Sequence, residues 1–215
     1  MSIDTSIIIC SHNNAQYLGR AIRSCLKQSL DKSKYEIIVV DDASTDNSVS
    51  VLESFKDKIV PIVLEKNVGV AEASNIGIRN ALGRFIIRVD SDDYINEHTL
   101  LFMSEILNNN PDIGFVYCDH IRVDKEENHL ERVNLSTLDL LYRHGAGIMF
   151  RKSYMEAIGL YDKEFKNAED HELLSRYIKN FNGFHLPVSL YRYRQHDTNM
   201  TKDKEERKKW EAKIK

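Results

Sequence analysis

Four short apolar runs separated by helical patterns constrain the fold of this chain more than any other feature. Each is rich in β-branched residues and ends in polar turn residues: TSIIIC (5–10), YEIIVV (35–40), IVPIVL (59–64) and RFIIRV (84–89). Apolar residues at three-and-four spacing predict the intervening helices, at about 17–26, 49–55 and 70–82. Strands that alternate with helices in this way form a parallel sheet with helices on both faces. We therefore expect an α/β fold with a Rossmann-like, mostly parallel central sheet.

The pattern changes after residue 96. Apolar spacing predicts a helix near 100–107 and another over 168–181. Extended segments are expected at 113–123 and 184–196, a small, flexible and then apolar segment at 145–150, and a loop in the polar stretch 124–134.

Composition narrows the class of protein and its surroundings. The net charge of −3 over 215 residues argues against nucleic acid as the main partner. The three cysteines, Cys10, Cys25 and Cys118, form no CxxC pair, which argues against a disulfide framework or a zinc site and fits a reducing compartment. The sequence has neither a signal-peptide pattern nor an apolar run of about 18 residues. A cytoplasmic location is expected.

Three carboxylates follow the fourth apolar run, in RFIIRVDSDDYIN. Alternate side chains of an extended segment face the same way, so Asp90 and Asp92 are expected to converge while Asp93 turns away. Convergent carboxylates repel unless a cation lies between them or one is protonated. Carboxylate oxygens suit Mg²⁺ or Mn²⁺, which often takes further oxygens from a substrate phosphate. The alternative is a solvated acidic turn that caps a helix.

Two more acidic residues, Asp41 and Asp42, follow the second strand. Ligands of parallel α/β sheets bind outside the carboxyl ends of the strands, where an aspartate accepts hydrogen bonds from a base or ribose. The alternative is a turn with a helix cap. Neither GxGxxG nor GxxxxGK[ST] occurs in the chain, which argues against dinucleotide-dependent hydride transfer and against a P-loop.

Candidate residues also lie in the second half. NAEDHELL places Glu169 and Asp170 at the start of a helix, where they either favour the helix dipole or act in a site. Adjacent helix residues diverge by about 100°, so we expect the two to face different ways. Helix amides are expected to keep Asp170 ionised. His196, in YRYRQHD, is either structural or a ligand for a metal or phosphate.

Taken together, these segments resemble the family-2 inverting glycosyltransferases with the GT-A fold, over roughly residues 4–200. The motifs are the opening SIIICSHNNAQYLGRAIRSCLKQS, EIIVVDDASTDNS, the stretch ending in RVDSDD (a DxD motif), AEDHELLSRY (an ED motif) and the terminal YRYRQH. The resemblance implies a single domain over 1–201, divided into a nucleotide-binding half (1–96) and an acceptor-binding half (97–201). A charged tail (202–215) follows.

The resemblance also implies roles for individual residues. It assigns nucleotide and sugar contacts to Cys10, Asp41, Asp42, Asn67, Asn75, Asp90 and Glu169. It assigns Mn²⁺ or Mg²⁺ to Asp92, Asp93 and His196, and the general base to Asp170. One departure is Ser74, where relatives often have an arginine that contacts base or phosphate. The QxxRW motif of processive synthases is absent, so transfer of single sugars is expected.

The expected activity is metal-dependent, inverting transfer of a sugar from a nucleotide-sugar, a UDP-sugar, to an acceptor hydroxyl. The acceptor would be a saccharide or lipid-linked saccharide in surface polysaccharide or glycolipid synthesis. One alternative is a sugar-phosphate nucleotidyltransferase, which should carry a Gly-rich, Arg-containing loop that CSHNNAQY lacks. Another is a non-catalytic nucleotide-sugar sensor.

The tail has seven basic and four acidic residues. It is expected to be a solvated helix or a frayed segment, or else to hold the protein peripherally at the inner face of an anionic membrane.

Overall fold

The computed structural model describes residues 2–137, 145–197, 199 and 203–214. Within them, nine strands form one sheet: β1 (Thr5–Ser11), β2 (Tyr35–Asp41), β3 (Val60–Val63), β4 (Phe85–Asp90), β5 (Tyr94–Ile95), β6 (Ile113–Val123), β7 (His129–Val133), β8 (Ile148–Arg151) and β9 (Asn182–Arg194). The helices are α1 (Ala15–Leu26), α2 (Ser48–Glu53), α3 (Val70–Asn80), α4 (Thr99–Asn109), α5 (Lys152–Ile158), α6 (Glu169–Ile178) and α7 (Lys204–Glu211), with a 3-10 turn at Lys32–Lys34.

The strand order is β3–β2–β1–β4–β8–β6–β9–β5, and β7 pairs with β6. β1 to β4 are mutually parallel, and β8 joins them to β6 through antiparallel pairings on both of its sides. β6 and β9 are parallel to each other, whereas β5 and β7 are antiparallel to their neighbours. Six strands therefore run one way (β1, β2, β3, β4, β6 and β9) and three the other. The predicted mostly parallel α/β sheet is confirmed.

Helices cover both faces of this sheet. One core contains Ile7, Ile37 and Ile87 with buried residues of α1, α2 and α4. The other contains Ile8, Ile38, Ile86 and buried residues of α3, α5 and α6. Because side chains alternate along a strand, the last even-numbered residues of β1 and β4 face the second set of helices. The side chains of Cys10, Arg88 and Asp90 therefore point toward α3 and α6.

The prediction of a loop at 124–134 is wrong, because β7 folds back on β6 as an antiparallel hairpin. The side chains of β7 are mostly exposed, so the sequence shows no alternation of apolar residues there. Partners outside the strand stabilise it instead: Arg122 of β6 pairs across to Glu131, and Arg132 pairs with the buried Asp119. Asp124 closes the turn by accepting hydrogen bonds from backbone amides in it.

The charged tail contains a helix, α7, that packs against the domain. The Trp210 ring lies 5.5 Å from that of Phe165, and Glu211 lies 3.6 Å from His171 at the start of α6. Lys208 and Lys209 are exposed and pair with glutamates of the same helix. Lys202 lies outside the described residues. Among the described helices, none is long and apolar enough to cross a membrane.

Candidate active site at the carboxyl ends of the strands

The carboxyl ends of β1, β2 and β4 meet at one edge of the sheet. Cys10 of β1 is in register with Asp90 of β4, and Asp42 directly follows β2. Cys10 is half-buried, and its Sγ lies 3.4 Å from the Ser74 hydroxyl of α3. Burial raises the pKa of the Cys10 thiol to about 11, so Cys10 is an uncharged wall of this edge.

Arg88 joins β4 to the start of α6. Its three guanidinium nitrogens contact three carboxylates: Nη1 lies 3.1 Å from Glu169, Nη2 lies 2.5 Å from Asp170, and Nε lies 3.3 Å from Asp90. The Arg88 side chain is 12% exposed. One buried cation therefore holds together three sequence-predicted site residues.

Helix geometry predicts that Glu169 and Asp170 face different ways, and both nonetheless bind Arg88, through different guanidinium nitrogens. The forked guanidinium spans that divergence because its nitrogens are separate donors. The prediction from helix geometry did not include a partner able to bridge the two residues.

The charge state of Asp170 also differs from expectation. Burial raises the pKa of Asp170 to about 7, with Arg88 opposing the rise and Glu169 and Asp90 adding to it. The helix amides were expected to keep this carboxylate ionised, but desolvation of the charged form outweighs them. The side chain remains 22% exposed. Asp170 is thus an accessible carboxyl group that is close to half ionised near neutral pH.

Gly145 leaves room for Asp170. It has φ +55°, and a Cβ on it would lie 2.6 Å from the Asp170 Cβ and 2.8 Å from its Oδ2. Both the positive φ and the close approach favour glycine here. The Asp170 carboxylate therefore binds the guanidinium of Arg88 and lies close to the backbone of residue 145.

Asp92 lies beside His196, which follows β9. The Asp92 Oδ2 and the His196 Nε2 are 2.7 Å apart, and the amide of Asn199 lies 3.4 Å from the same oxygen. The Asp92 side chain is 18% exposed. A carboxylate oxygen next to an imidazole nitrogen is a donor set that Mn²⁺ accepts, and Mg²⁺ commonly takes one or two carboxylates plus phosphate oxygens. Among the described residues, no three His, Cys, Asp or Glu side chains form a complete metal site.

Asp93 points away from Asp92, into the protein. It is 2% exposed and accepts a hydrogen bond of 2.7 Å from the backbone N–H of Arg194. Burial, with Asp92 and Asp90 adding to it, raises the pKa of Asp93 well above its usual range. The Arg194 side chain in turn donates to the Asp92 carbonyl oxygen. Asp93 and Arg194 thus hold the end of β9, and with it His196, against the acidic turn.

Asp41 and Asp42 have different surroundings. Asp41 is fully buried, accepts a hydrogen bond from the Ser44 amide, and its Oδ2 has no hydrogen-bond partner among the described residues. Both carboxylate oxygens of Asp42 accept backbone hydrogen bonds, from Val68 at 2.7 Å and Gly69 at 2.9 Å. Asn67 is exposed and donates to the Asp42 carbonyl oxygen. Asp42 therefore shapes the loop that leads into α3.

Replacing Asp42 by Ala is expected to lower the free energy of unfolding by about 2–3 kcal/mol, because two amides lose a charged acceptor in a buried place. Nucleotide affinity is expected to weaken by about 1.5–3 kcal/mol if Asp42 also accepts hydrogen bonds from the base. Denaturant unfolding and calorimetry measure the two effects separately. Asp57→Ala, in an exposed loop, is the control. Unchanged nucleotide affinity would remove Asp42 from the base pocket.

Asn75 and Ser74 lie deeper than the proposed ligand edge. The Asn75 side chain exchanges two hydrogen bonds with the backbone of Tyr161, donating to its carbonyl oxygen and accepting from its N–H. Ser74 and Arg88 line one small cavity of about 10 Å³, together with the Tyr161 ring. A guanidinium from β4 therefore reaches the neighbourhood of Ser74 on α3.

The prediction from sequence missed Arg88, Tyr161 and Arg194. A signal for Arg88 was present, because an arginine at a core-facing position of the apolar run RFIIRV needs a buried anionic partner. Tyr161 and Arg194 show no comparable signal in their local sequence, and each makes hydrogen bonds to a residue more than 60 positions away.

The mixed α/β sheet, with carboxylates at the carboxyl ends of its parallel strands, has the GT-A fold. The chain belongs to glycosyl transferase family 2, whose family model matches residues 6–159. It is 30% identical over 211 residues to an uncharacterized glycosyltransferase of Rickettsia typhi, covering 91% of this chain and 65% of that protein.

Two further proteins have known activities or ligands. The poly(ribitol-phosphate) beta-N-acetylglucosaminyltransferase TarS of Staphylococcus aureus is 38% identical over 98 residues, 44% of this chain and 17% of TarS. The crystal structure of TarS residues 1–349 with UDP-GlcNAc matches with a TM-score of 0.79, 24% identity, and coverage of 94% of this chain and 61% of that one. A Pyrobaculum calidifontis mannosyltransferase solved with GDP-Man and Mn²⁺ matches with a TM-score of 0.71, 19% identity, and coverage of 89% and 57%.

These structural matches establish the GT-A fold. The chain spans less than two thirds of the length of the curated relatives it matches.

Proposed function

We propose that this chain catalyses metal-dependent, inverting transfer of a sugar from a nucleotide-sugar to an acceptor hydroxyl. The observation that carries the proposal is the ion-paired cluster of Asp170, Arg88 and Asp90, which joins an accessible carboxylate of α6 to the ligand edge of β4. Family membership supports the same reaction class. In this proposal, residues 1–96 bind the nucleotide and residues 97–201 bind the acceptor.

Asp170 acts as the general base in this proposal. The acceptor hydroxyl loses its proton to the Asp170 carboxylate as its oxygen attacks the anomeric carbon, and the bond to the nucleoside diphosphate breaks in the same displacement. A single displacement inverts the anomeric centre and needs no protein nucleophile. A pKa of about 7 suits the task, because the ideal general base has a pKa near the working pH.

Asp92 and His196 would hold Mn²⁺ or Mg²⁺, with Asp93 supporting the turn rather than completing the ligand set. When bound, the metal would stabilise the negative charge that develops on the departing diphosphate. Asn199 contacts both Asp92 and His196 and keeps the two side chains together. Asp90, beside Arg88, remains the proposed contact to ribose or sugar.

UDP is the proposed nucleotide of the donor. TarS, which shares the fold, has been solved with UDP-GlcNAc, and its name states transfer of N-acetylglucosamine to poly(ribitol phosphate). A saccharide or lipid-linked acceptor in surface polymer or glycolipid synthesis is proposed by extension. Cys10 and Asp42 are proposed to line the base pocket, with Asp41, Asn67 and Asn75 shaping its walls.

The proposal is tested by a thermal-shift screen of nucleoside diphosphates and nucleotide-sugars with Mn²⁺, followed by turnover with the ligand that binds. A ligand specific for the native state raises the melting temperature, by mass action. UDP is expected to give the largest shift among the diphosphates. Tight binding without transfer or hydrolysis would favour the sensor alternative. Release of pyrophosphate from a nucleoside triphosphate and a sugar phosphate would favour the nucleotidyltransferase.

A cytoplasmic location is proposed as the setting, with peripheral association at the inner face of a membrane as the alternative. The three cysteines are all free, which fits a reducing compartment. Peripheral association would depend on the tail, where each basic residue near an anionic surface is worth about 1 kcal/mol. The pairing of Lys208 and Lys209 with glutamates of α7 favours the solvated helix over this alternative.

Sedimentation with anionic vesicles tests the tail. If the tail binds the surface, Lys208→Gln with Lys209→Gln is expected to reduce the bound fraction at low salt, because two positive charges are lost. Lys56→Gln with Lys58→Gln, on an exposed loop, is the matched control. Equal sedimentation of the parent and the tail variant would end the membrane hypothesis.

A further inference from the structure

The buried guanidinium of Arg88 is a strong charge at the site to which the proposed reaction assigns no step. It lies on β4, inside the sheet, and all three of its nitrogen positions contact carboxylates of the site. The Cζ atom of the Arg88 guanidinium also lies 5.3 Å from the centre of the Tyr161 ring. Burying a charge in this way is costly unless every partner is in place, so the arrangement has one well-defined geometry.

We propose that Arg88 is the positioning residue of the general base, holding the Asp170 carboxylate in place and in its ionised form. This inference rests on the proposed function, because it gives Asp170 a reaction to serve. Arg88 reaches Asp170 across 82 residues of sequence, from a strand interior that has little freedom to move. Gly145 leaves room for the same carboxylate, because a Cβ at position 145 would lie 2.8 Å from the Asp170 Oδ2.

The charges around Asp170 explain why a positioning cation is needed. Glu169 on the same helix and Asp90 on β4 both repel the ionised form of Asp170, and the Tyr161 hydroxyl donates a hydrogen bond to it. Three carboxylates face one guanidinium, so the cluster has a net charge of −2 when all are ionised. Removing Arg88 leaves that repulsion uncompensated and favours protonation of Asp170.

The geometry also separates arginine from lysine at this position. A guanidinium presents a rigid fork of donors that engages several carboxylates at once, whereas an ammonium is a compact point charge on a flexible stem. Arg88→Lys is therefore expected to retain part of the electrostatic effect and lose the fixed orientation. Arg88→Met removes the charge and keeps most of the buried volume.

The test measures kcat/KM for sugar transfer against pH in the parent, Arg88→Lys and Arg88→Met. Since the base must be ionised to accept a proton, activity is lost as pH falls through the pKa of Asp170. The acid limb of Arg88→Met is expected to move up by about 1–3 pH units, the usual effect of an opposite charge at this distance. At neutral pH the kcat of Arg88→Met falls, because a smaller fraction of Asp170 is ionised. Arg88→Lys should lie between the two.

Arg151→Met is the matched control. Arg151 is another partly buried arginine of the sheet, but its guanidinium donates to the carbonyl oxygens of Leu107 and Ile113. Its loss should lower the melting temperature and leave the acid limb unchanged. If Arg88→Lys and Arg88→Met keep the parent acid limb and lose only stability, as the control does, Arg88 has a structural role and the inference is wrong.

A second readout does not depend on transfer. In protein with ¹³C-labelled aspartate carboxyl groups, the signal that disappears in Asp170→Asn reports the titration of Asp170. The midpoint pH of this titration is expected to rise in Arg88→Met and to stay at the parent value in Arg151→Met. An unchanged midpoint in Arg88→Met overturns the inference. A parent protein that transfers no sugar, together with a moved midpoint, would contradict the proposed function and still support the coupling of Arg88 to Asp170.

Discussion

Replacing Asp170 by Asn is expected to lower the turnover of sugar transfer by about 10²–10⁴-fold, the usual contribution of a general base. Asparagine keeps the shape of the side chain and removes the proton acceptor. Affinity for UDP with Mn²⁺ should change little, because the proposed metal pair, Asp92 and His196, belongs to another part of the site. Single-turnover transfer rates and calorimetric affinities measure the two quantities.

Glu169→Gln is the matched comparison, because Glu169 is adjacent and binds the same guanidinium. It should lower the transfer rate less, since Glu169 is more buried than Asp170 and accepts no proton in the proposed step. If Asp170→Asn transfers sugar within about threefold of the parent, far less than a general base contributes, Asp170 is a helix-start residue and the base lies elsewhere.

The raised pKa of Asp170 also predicts how the activity changes with pH. The base is ionised above about pH 7, so the parent's kcat/KM should fall as pH decreases through that value.

The contribution of Asp170 to the free energy of unfolding changes with pH in the opposite direction. The folded state holds the proton of Asp170 more tightly than the unfolded chain does, because aspartates of an unfolded chain have a pKa of about 3.9. The contribution of Asp170 to stability therefore declines as pH rises from about 4 to 7. Comparison of unfolding free energies of the parent and Asp170→Asn over that range measures it.

Chelation of divalent metal should abolish transfer, and Asp92→Asn should reproduce the chelated state. The expected loss is about 10³-fold or more, because Lewis-acid stabilisation of a developing charge is worth several kcal/mol and each 1.36 kcal/mol is about tenfold in rate. Asparagine leaves His196 with a neutral neighbour and removes the anionic ligand. Activity in the chelated parent should return on addition of Mn²⁺ or Mg²⁺.

Calorimetry provides a readout of the same prediction without turnover. The parent should bind UDP more tightly with Mn²⁺ than without, whereas Asp92→Asn should bind it equally in both conditions. Asp112→Asn, on an exposed turn, is the control and should behave like the parent. Full activity of the parent in excess EDTA would contradict metal dependence whatever the variant does.

Much of the architecture was predictable because its signals are local. The periodicity of strands and helices lies within windows of about ten residues, so β1 to β4 and the helices between them were predicted near their observed positions. The same local pattern put Asp42 and Asp90 at strand ends, and the rule that parallel strands present these ends at one edge brought them together. β7 escaped prediction because its exposed residues carry no such period.

Local sequence patterns were enough to predict the fold class and the kinds of residue available at the ligand edge. The tertiary structure decided which of these residues meet, since Arg88 contacts Asp170 across 82 positions and Asp92 contacts His196 across 104. The tertiary structure also sets the charge state and orientation of these residues. The pKa of Asp170 depends on burial and on charges from β4, and Asp93 turns inward to hold β9 although it is chemically identical to Asp92. Charge state and ligand geometry depend on burial, on neighbouring charges and on hydrogen bonds. Residue identity and spacing along the chain do not specify these surroundings.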